Sequence, residues 1–419
     1  MSALQSLFGL IAFPLIAYLF SGRNRQPLIP LLKLVAIGLA LQLLFGVLLL
    51  NNFAFLQYPL ELINNSVNAV GTATTAGTSF LFGYLGGGEL PFDAERPQLV
   101  FLFAFRVLPI VIVMSALSAI LFHLGILPFL IRGFSKILNR AMAINGAEGF
   151  AVAANVFVGM VEAPLLVRPY LQSMSRSQLL TLMTAGMATV AGTVVFLYAA
   201  VLTPILPNAL THIITASLMS APAAIIIAKI MIPEIHDDKT TPNDFNIPRT
   251  SHSTMDALVS GANTGMQIFA SIIAIILVFF ALVSIVNQLL ALIPTATPLT
   301  IEYLLSFLFL PITWLMGIPV DDLFVASELM STKLVLNELV SYTIMSSPET
   351  MLSETSKLIL TYAMCGFANF GSLGIIVGGL SAIIPDRRPE LIELGFKSIF
   401  AGTLATSMTG ALVNLFNQL

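Results

Sequence analysis

Charge is what this 419-residue chain has least of. Only 9% of its residues are Asp, Glu, Lys or Arg, against 57% that are hydrophobic. A soluble protein carries roughly 25% charged residues, so most of this surface is expected to face lipid. Eighteen basic and 21 acidic side chains leave a net charge of −3, which gives no basic field for a nucleic-acid partner. The single Cys365 cannot close an internal disulfide and leaves the redox compartment open. The four histidines, His123, His212, His236 and His252, never fall into the HExxH spacing of a zinc hydrolase. Gly86-Gly87-Gly88 runs into Glu89, without the Lys-Ser/Thr that a phosphate loop needs. A hydrolase and an ATP-driven pump are both disfavoured, and no enzyme activity is expected.

What is present is apolar length. Windows of about 20 apolar residues fall near 3–20, 31–50, 99–121, 178–203, 209–232, 256–293, 355–384 and 390–417. The chain therefore reads as all-α, multi-pass and set in a cell (plasma or inner) membrane. Residues 2–20 lack a basic n-region and a small-residue cleavage site, so they read as a first span, not a removed signal. Arg23, Arg25 and Lys33 put the loop after it on the cytoplasmic side and the N-terminus outside. Segment 54–80 mixes Asn, Thr, Ser and Gly with apolar residues and reads as an amphipathic interfacial helix. The strongly polar stretch 233–254, with Asp237, Asp238 and Lys239, is expected to be a solvated loop between two pseudo-equivalent halves.

Two matching segments support that division. Residues 185–192 read Ala-Gly-Met-Ala-Thr-Val-Ala-Gly and 365–372 read Cys-Gly-Phe-Ala-Asn-Phe-Gly-Ser, each inside a span. Small residues around one polar residue hold a helix poorly and expose backbone carbonyls. Paired interruptions in corresponding spans mark a transporter's binding site. Glu162 precedes the first and Glu338 the second. Two further regions, about 141–172 and about 311–343, are apolar but too interrupted by Pro, Gly and charge to cross. Helix-turn-helix hairpins that enter and leave on one side would fit them. Backbone of that kind is tolerated only inside protein or along a cavity, so their tips should face each other across the two breaks.

The residues then become recognisable. Asn-Val-Phe-Val-Gly-Met-Val-Glu-Ala-Pro-Leu-Leu-Val-Arg-Pro-Tyr at 155–170 resembles the first hairpin motif of the concentrative nucleoside transporter family. So do Ser-Ala-Pro-Ala-Ala at 220–224, Trp-Leu-Met-Gly-Ile-Pro at 314–319, Ser-Glu-Leu-Met-Ser-Thr-Lys-Leu-Val-Leu-Asn-Glu at 327–338 and the second break at 365–372. The resemblance runs from Phe105-Arg106-Val107-Leu108-Pro109 to Ala401-Gly402-Thr403-Leu404. It implies about eight spans, two re-entrant hairpins and an interfacial helix, as an inverted repeat with scaffold and transport regions, assembled as a homotrimer. On that plan 1–121 holds scaffold spans and the interfacial helix. Residues 122–232 hold the first hairpin, its broken span and the next span. The polar loop 233–254 follows, then a long scaffold span over 255–298. The second hairpin, second broken span and C-terminal span fill 299–419.

The resemblance also implies a site. Glu338, Asn369 and Ser372 correspond to the ribose-binding set, Glu162 to the hairpin acid near the sugar, and Phe367 to an aromatic wall. Carboxylates and amides suit ribose hydroxyls in a dry site. A carboxylate at membrane depth costs at least ~2.5–3.5 kcal/mol, so it is kept for a reason. The blander alternatives are an ion pair between Glu338 and Lys333, a structural Glu328, and structural or lipid-headgroup roles for Arg106 and Arg168. The family's sodium position corresponds to the Asn155 amide, the Val158 carbonyl, the Thr189 hydroxyl and the Val190 carbonyl. Hard cations want oxygen ligands, and broken helices supply them. Sodium is the expected coupling ion, with a proton as the alternative; a helix-interior amide at Asn155 fits either.

One departure bears on the substrate. The hairpin tip is commonly Gly-Gln-Thr-Glu in the family, but here it is Gly159-Met160-Val161-Glu162. Thr193-Val194 in the first broken span also departs from the pyrimidine-preferring pattern, and together they resemble the purine-preferring branch. Met is polarizable against a flat ring. The expectation is an elevator-like symporter importing nucleosides, purines preferred. Relaxed base selectivity, a proton-coupled carrier or a channel for small polar solutes are the alternatives.

Overall fold

Several long apolar runs of this protein form long helices, and several of its short helices begin or end where Gly, Pro, Asn or Ser breaks a run. The computed structural model describes residues 2–22, 27–50, 54–93, 102–234, 251–295 and 298–418, which contain helices and no strand. The order begins α1 (Ser2–Leu19), α2 (Leu28–Leu50), α3 (Ala54–Phe82), α4 (Phe103–Arg106), α5 (Ile110–His123) and α6 (Ile126–Met142). It continues with α7 (Gly146–Phe157), α8 (Glu162–Leu166), α9 (Arg168–Leu171), α10 (Arg176–Ala188), α11 (Gly192–Leu202) and α12 (Ala209–Met231). The second half holds α13 (Thr254–Leu290), α14 (Ile301–Leu315), α15 (Leu323–Val335), α16 (Glu338–Met345), α17 (Glu354–Met364), α18 (Phe370–Ile383) and α19 (Arg388–Gln418).

Among the described residues seven stretches are long and apolar enough to cross a membrane: α1, α2, α4 with α5, α10 with α11, α12, α13 and α19. The eighth expected span, 355–384, is present as two short helices, α17 and α18, separated at 365–369. Burial separates the layers. The most apolar window of α12 is 89% buried and that of α13 only 6%, so α12 lies in the core and α13 lines the outside. α13 packs against α5 through Gly261 and Gly265, where a Cβ would come within 2.8 Å of the Ala116 Cα and 2.7 Å of the Ile112 Cα. Small residues four apart let two backbones approach in lipid, where dispersion packing replaces the hydrophobic drive. α1 is tied to α19 by Asn414, whose amide donates to the Ser6 hydroxyl at 2.8 Å, and Ser6 donates to the Met316 carbonyl at 2.8 Å.

Both expected hairpins are helix-turn-helix units, but with narrower bounds. The first is α7, a turn at 158–161, and α8–α9; the second is α15, a turn at 336–337, and α16. Residues 311–315, expected in the second hairpin, instead end α14, which carries Pro311 within it. The helix continues through Pro311. Residues 141 and 142 likewise end α6. α6, with its basic residues, and α14, with its 15 residues, are separate helices too charged or too short to read as spans. Segment 54–80 is one continuous helix within α3. Arg23, Arg25 and most of the polar loop, 235–250, lie outside the described residues; Lys33 is exposed on α2.

Candidate functional site

The two sequence-matched segments meet at the centre of the fold. α10 begins with a capping box, Ser175 with Gln178, and ends at Ala188, after which Thr189 and Ala191 are extended and α11 starts at Gly192. In the second half α17 ends at Met364. Asn369 then caps α18, its side-chain oxygen accepting from the Ser372 N–H at 2.7 Å. A polar cap replaces the carbonyls and amides that a continuous helix would pair, so Asn369 is a physical cause of the second break. Gly366 lies on the backbone of the first break, where a Cβ would be 2.7 Å from the Met187 carbonyl oxygen. The first hairpin tip closes on the same place. Gly159 has φ of +110°, and a Cβ there would sit 2.7 Å from the Ala191 Cβ. Only glycine meets both demands.

Glu338 joins the second hairpin to both broken spans. Asn337 caps α16, accepting from the Val340 N–H at 2.9 Å, and so places Glu338 at the first turn. The Glu338 side chain is 4% exposed. One of its oxygens accepts from the Tyr198 hydroxyl of α11 and the other from the Asn369 amide at 3.0 Å. A buried carboxylate needs such charge-assisted donors to persist. The alternative partner is elsewhere: Lys333 donates to the Ala363 carbonyl at 3.1 Å and makes no ion pair within 4.0 Å among the described residues. Ser372 is buried beside Asn369, and Phe367 is half-buried in the break.

Tyr198 escaped the sequence reading. It lies four residues, one helical turn, beyond Val194 on α11, and it stacks edge-on against Tyr342 with centroids 5.5 Å apart. A tyrosine in an apolar span needs a partner for its hydroxyl, which is the signal that would have found it.

The remaining sequence candidates fall in two groups. Asn155, Thr189 and Val190 are buried where α7 meets the end of α10, with Val158 half-buried in the hairpin turn. The Asn155 amide nitrogen donates to the carbonyls of Ala151 at 3.2 Å and Leu182 at 3.4 Å, while its oxygen is buried with no partner. Thr189 donates to the Ala185 carbonyl at 2.8 Å, leaving its oxygen free to accept, and the Val190 carbonyl receives only a long 3.5 Å bond from Ser217. An orphaned buried oxygen beside a hydroxyl and loosely held carbonyls is a donor set that fits a hard cation. In the second group, Val194 and Thr193 are buried on α11. Met160 is buried against Gly186, where a Cβ would lie 2.9 Å from the Met160 Cβ; Val161 is 39% exposed and Glu162 half-buried at the tip. Of the residues with blander expectations, Arg106 donates to the Tyr84 carbonyl at 3.3 Å, Arg168 is exposed, and Glu328 is half-buried on α15.

The hairpin bases are anchored by acids that the sequence did not single out. Lys229 at the end of α12, 6% exposed, sits 2.9 Å from Glu148 in the first turn of α7 and 3.0 Å from Glu234. Asp322 at the start of the second hairpin accepts from the hydroxyls of Ser353 and Ser356, both at 2.6 Å, ahead of and within α17. Each hairpin is therefore fixed at its foot and meets the breaks at its tip.

Comparison with known proteins adds the family. Residues 8–85 match the Na+ dependent nucleoside transporter N-terminus, 104–205 a nucleoside recognition (gate) region and 212–414 the Na+ dependent nucleoside transporter C-terminus. The chain is similar to the uncharacterized transporter YutK of Bacillus subtilis, 34% identical over 99% of this chain and 100% of that one. It is also similar to the nucleoside permease NupC of Helicobacter pylori, 31% identical over 99% and 98%. The structure of CNTnw in an inward-facing substrate-bound state superposes with a TM-score of 0.86 at 34% identity, covering 99% of both chains. A CNTnw variant in an outward-facing state gives 0.86 at 33% identity, over 100% of this chain and 98% of that one. With three family regions in order, full-length relatives and two broken spans crossing beneath two hairpin tips, the chain belongs to the concentrative, Na+-dependent nucleoside transporter family, multi-pass membrane carriers and not enzymes.

Proposed function

We propose that this nucleoside transporter is a sodium-coupled symporter that prefers purine nucleosides and carries them inward by an elevator-like movement. The observation that carries the coupling is the orphaned, buried Asn155 side-chain oxygen at the first break. Asn155, Val158, Thr189 and Val190 would hold the ion, which supplies a positive charge drawing hairpin tip and broken helix together. Glu338, Asn369 and Ser372 receive the ribose. The Glu338 carboxylate accepts from sugar hydroxyls, and the Asn369 amide and Ser372 hydroxyl both donate and accept. Substrate thus enters a network that already holds three elements in register.

The apolar side chains of Met160, Val161 and Val194 support a base end without a carboxamide, which favours the larger face of a purine. Phe367 closes the site as an aromatic wall and Glu162 borders the sugar. The existence of inward- and outward-facing CNTnw states supports alternating access for this relative. In this reading α5 and α13 belong to the fixed scaffold, and the hairpins with both broken spans form the moving region. The exposed face of α13 is the surface for a homotrimer.

Uptake into sealed vesicles tests the coupling. Accumulation of labelled adenosine should follow an inward sodium gradient and saturate. Asn155→Ala should raise the sodium concentration for half-maximal uptake, and nucleoside affinity should fall most at low sodium because the two affinities are linked reciprocally. Uptake that is indifferent to replacing sodium by choline and collapses with a proton uncoupler would make the carrier proton-coupled. Non-saturable equilibration would make it a channel.

A further inference from the structure

We infer that the Lys333 ammonium is a built-in cation serving the second break, where the first break presents oxygens for a mobile one. A helix C-terminus carries roughly half a negative charge on its unpaired carbonyls, which favours a cation within the last turn. Both broken spans bring such an end, α10 and α17, to the middle of the protein. They are treated differently. At the end of α10 no ammonium donates among the described residues; what stands there is the Asn155 oxygen without a partner. At the end of α17 the penultimate carbonyl, Ala363, accepts from Lys333 at 3.1 Å, and the Thr361 carbonyl accepts from the Tyr342 hydroxyl at 2.8 Å.

Lys333 is 1% exposed, and among the described residues it has neither a carboxylate within 4.0 Å nor a second hydrogen bond. A buried ammonium with a single carbonyl acceptor is a poor structural pair. Its contrast is Lys229, equally enclosed but flanked by two carboxylates. Lys333 and Glu338 lie on the two arms of the same hairpin, before and after its turn. The ammonium therefore offsets the α17 carbonyl end and the Glu338 charge without leaving when substrate does. It is a positioning residue for the ribose end, and it supplies permanently in this half what the ion supplies in the other.

The test is adenosine binding to purified protein at saturating sodium, comparing wild type with Lys333→Met and Lys333→Ala. Both variants should bind roughly tenfold or more weakly, the scale of a lost charged hydrogen bond. Added methylammonium chloride should restore Lys333→Ala, and choline chloride at the same concentration should not. Rescue by a small cation separates a charge role from mere packing. The inference fails if Lys333→Met binds like wild type, or if Lys333→Ala is weak and not rescued. Should Lys333→Ala not fold, Lys333→Met, which keeps most of the stem's volume, decides alone. The idea rests on the ion reading of the first break only for the contrast. A wild type that binds without sodium overturns that reading, while the rescue still decides Lys333.

Discussion

The two breaks share a sequence pattern and a place in the fold but differ in how their polar groups are satisfied. In the second, Asn369 caps α18 and donates to Glu338, Tyr198 donates to the other carboxylate oxygen, and Lys333 covers the end of α17. In the first, Thr189 turns back on its own helix and the Asn155 oxygen has no partner. One break is internally closed and the other open. A closed network presents a fixed template to a ligand that supplies hydroxyls, whereas an open set of oxygens waits for a positive charge. On the proposed function, the repeat is specialised, one half toward sugar and the other toward the ion.

The severest way to break this comparison is Glu338→Gln. It removes the charge around which the closed network is arranged, so binding of every nucleoside should weaken by ~2–5 kcal/mol. The loss should be equal for adenosine and uridine in equilibrium binding. Wild-type uptake by this variant would end the assignment of Glu338 to the sugar. Tyr198→Phe is the finer cut. It takes one donor from the same carboxylate and should cost about 1.5–3 kcal/mol in affinity, again without regard to the base. A change confined to one nucleoside would move Tyr198 to the base end.

The smallest effect is expected from the hairpin tip. Met160→Gln combined with Val161→Thr restores a carboxamide and a hydroxyl, and should raise uridine relative to adenosine by about one hydrogen bond, ~0.5–1.5 kcal/mol. A site built for a hydrogen bond rejects partners lacking it better than an apolar site rejects an added polar group. The wild type should therefore favour purines only moderately. Competition between labelled adenosine and uridine reads this directly, and cytidine carried as well as adenosine would refute the purine preference.

Much of the architecture was legible because lipid enforces a simple rule: apolar length becomes helix, and a polar interruption at depth becomes a site. That rule located the seven stretches that form long helices and an eighth that is two short ones flanking a break. It misjudged helices that do not cross. α6 carries Arg132, Lys136 and Arg140 on one side and buries Leu127, Ile131, Phe134 and Leu138 on the other, a helical period that a window for spans does not register. α14 overlaps the start of the region expected to be a hairpin, because the chain stays helical through Pro311. At the candidate site, a motif or a charge beside a break is what the sequence makes visible. Tyr198 and Lys229 stay hidden in it, because their significance lies in partners 140 and 81 positions away in the chain, Glu338 and Glu148.

The length of α13 has a mechanical consequence. Its 37 residues, at about 1.5 Å each, measure roughly 55 Å, while the hydrocarbon layer is about 30 Å thick. An upright α13 would stand about 25 Å proud of that layer, and a fully immersed one would lean by roughly 57°. The helix begins with Ser253 capping it and Asp256 in its first turn, so that end belongs in water and tilt would take up the excess of the remaining length over the layer. A slanted strut answers to thickness: a thicker membrane steepens it and a thinner one flattens it. Because Gly261 and Gly265 pack it closely on α5, a change of tilt would carry both helices, and in the proposed elevator bilayer thickness would be a load on the frame.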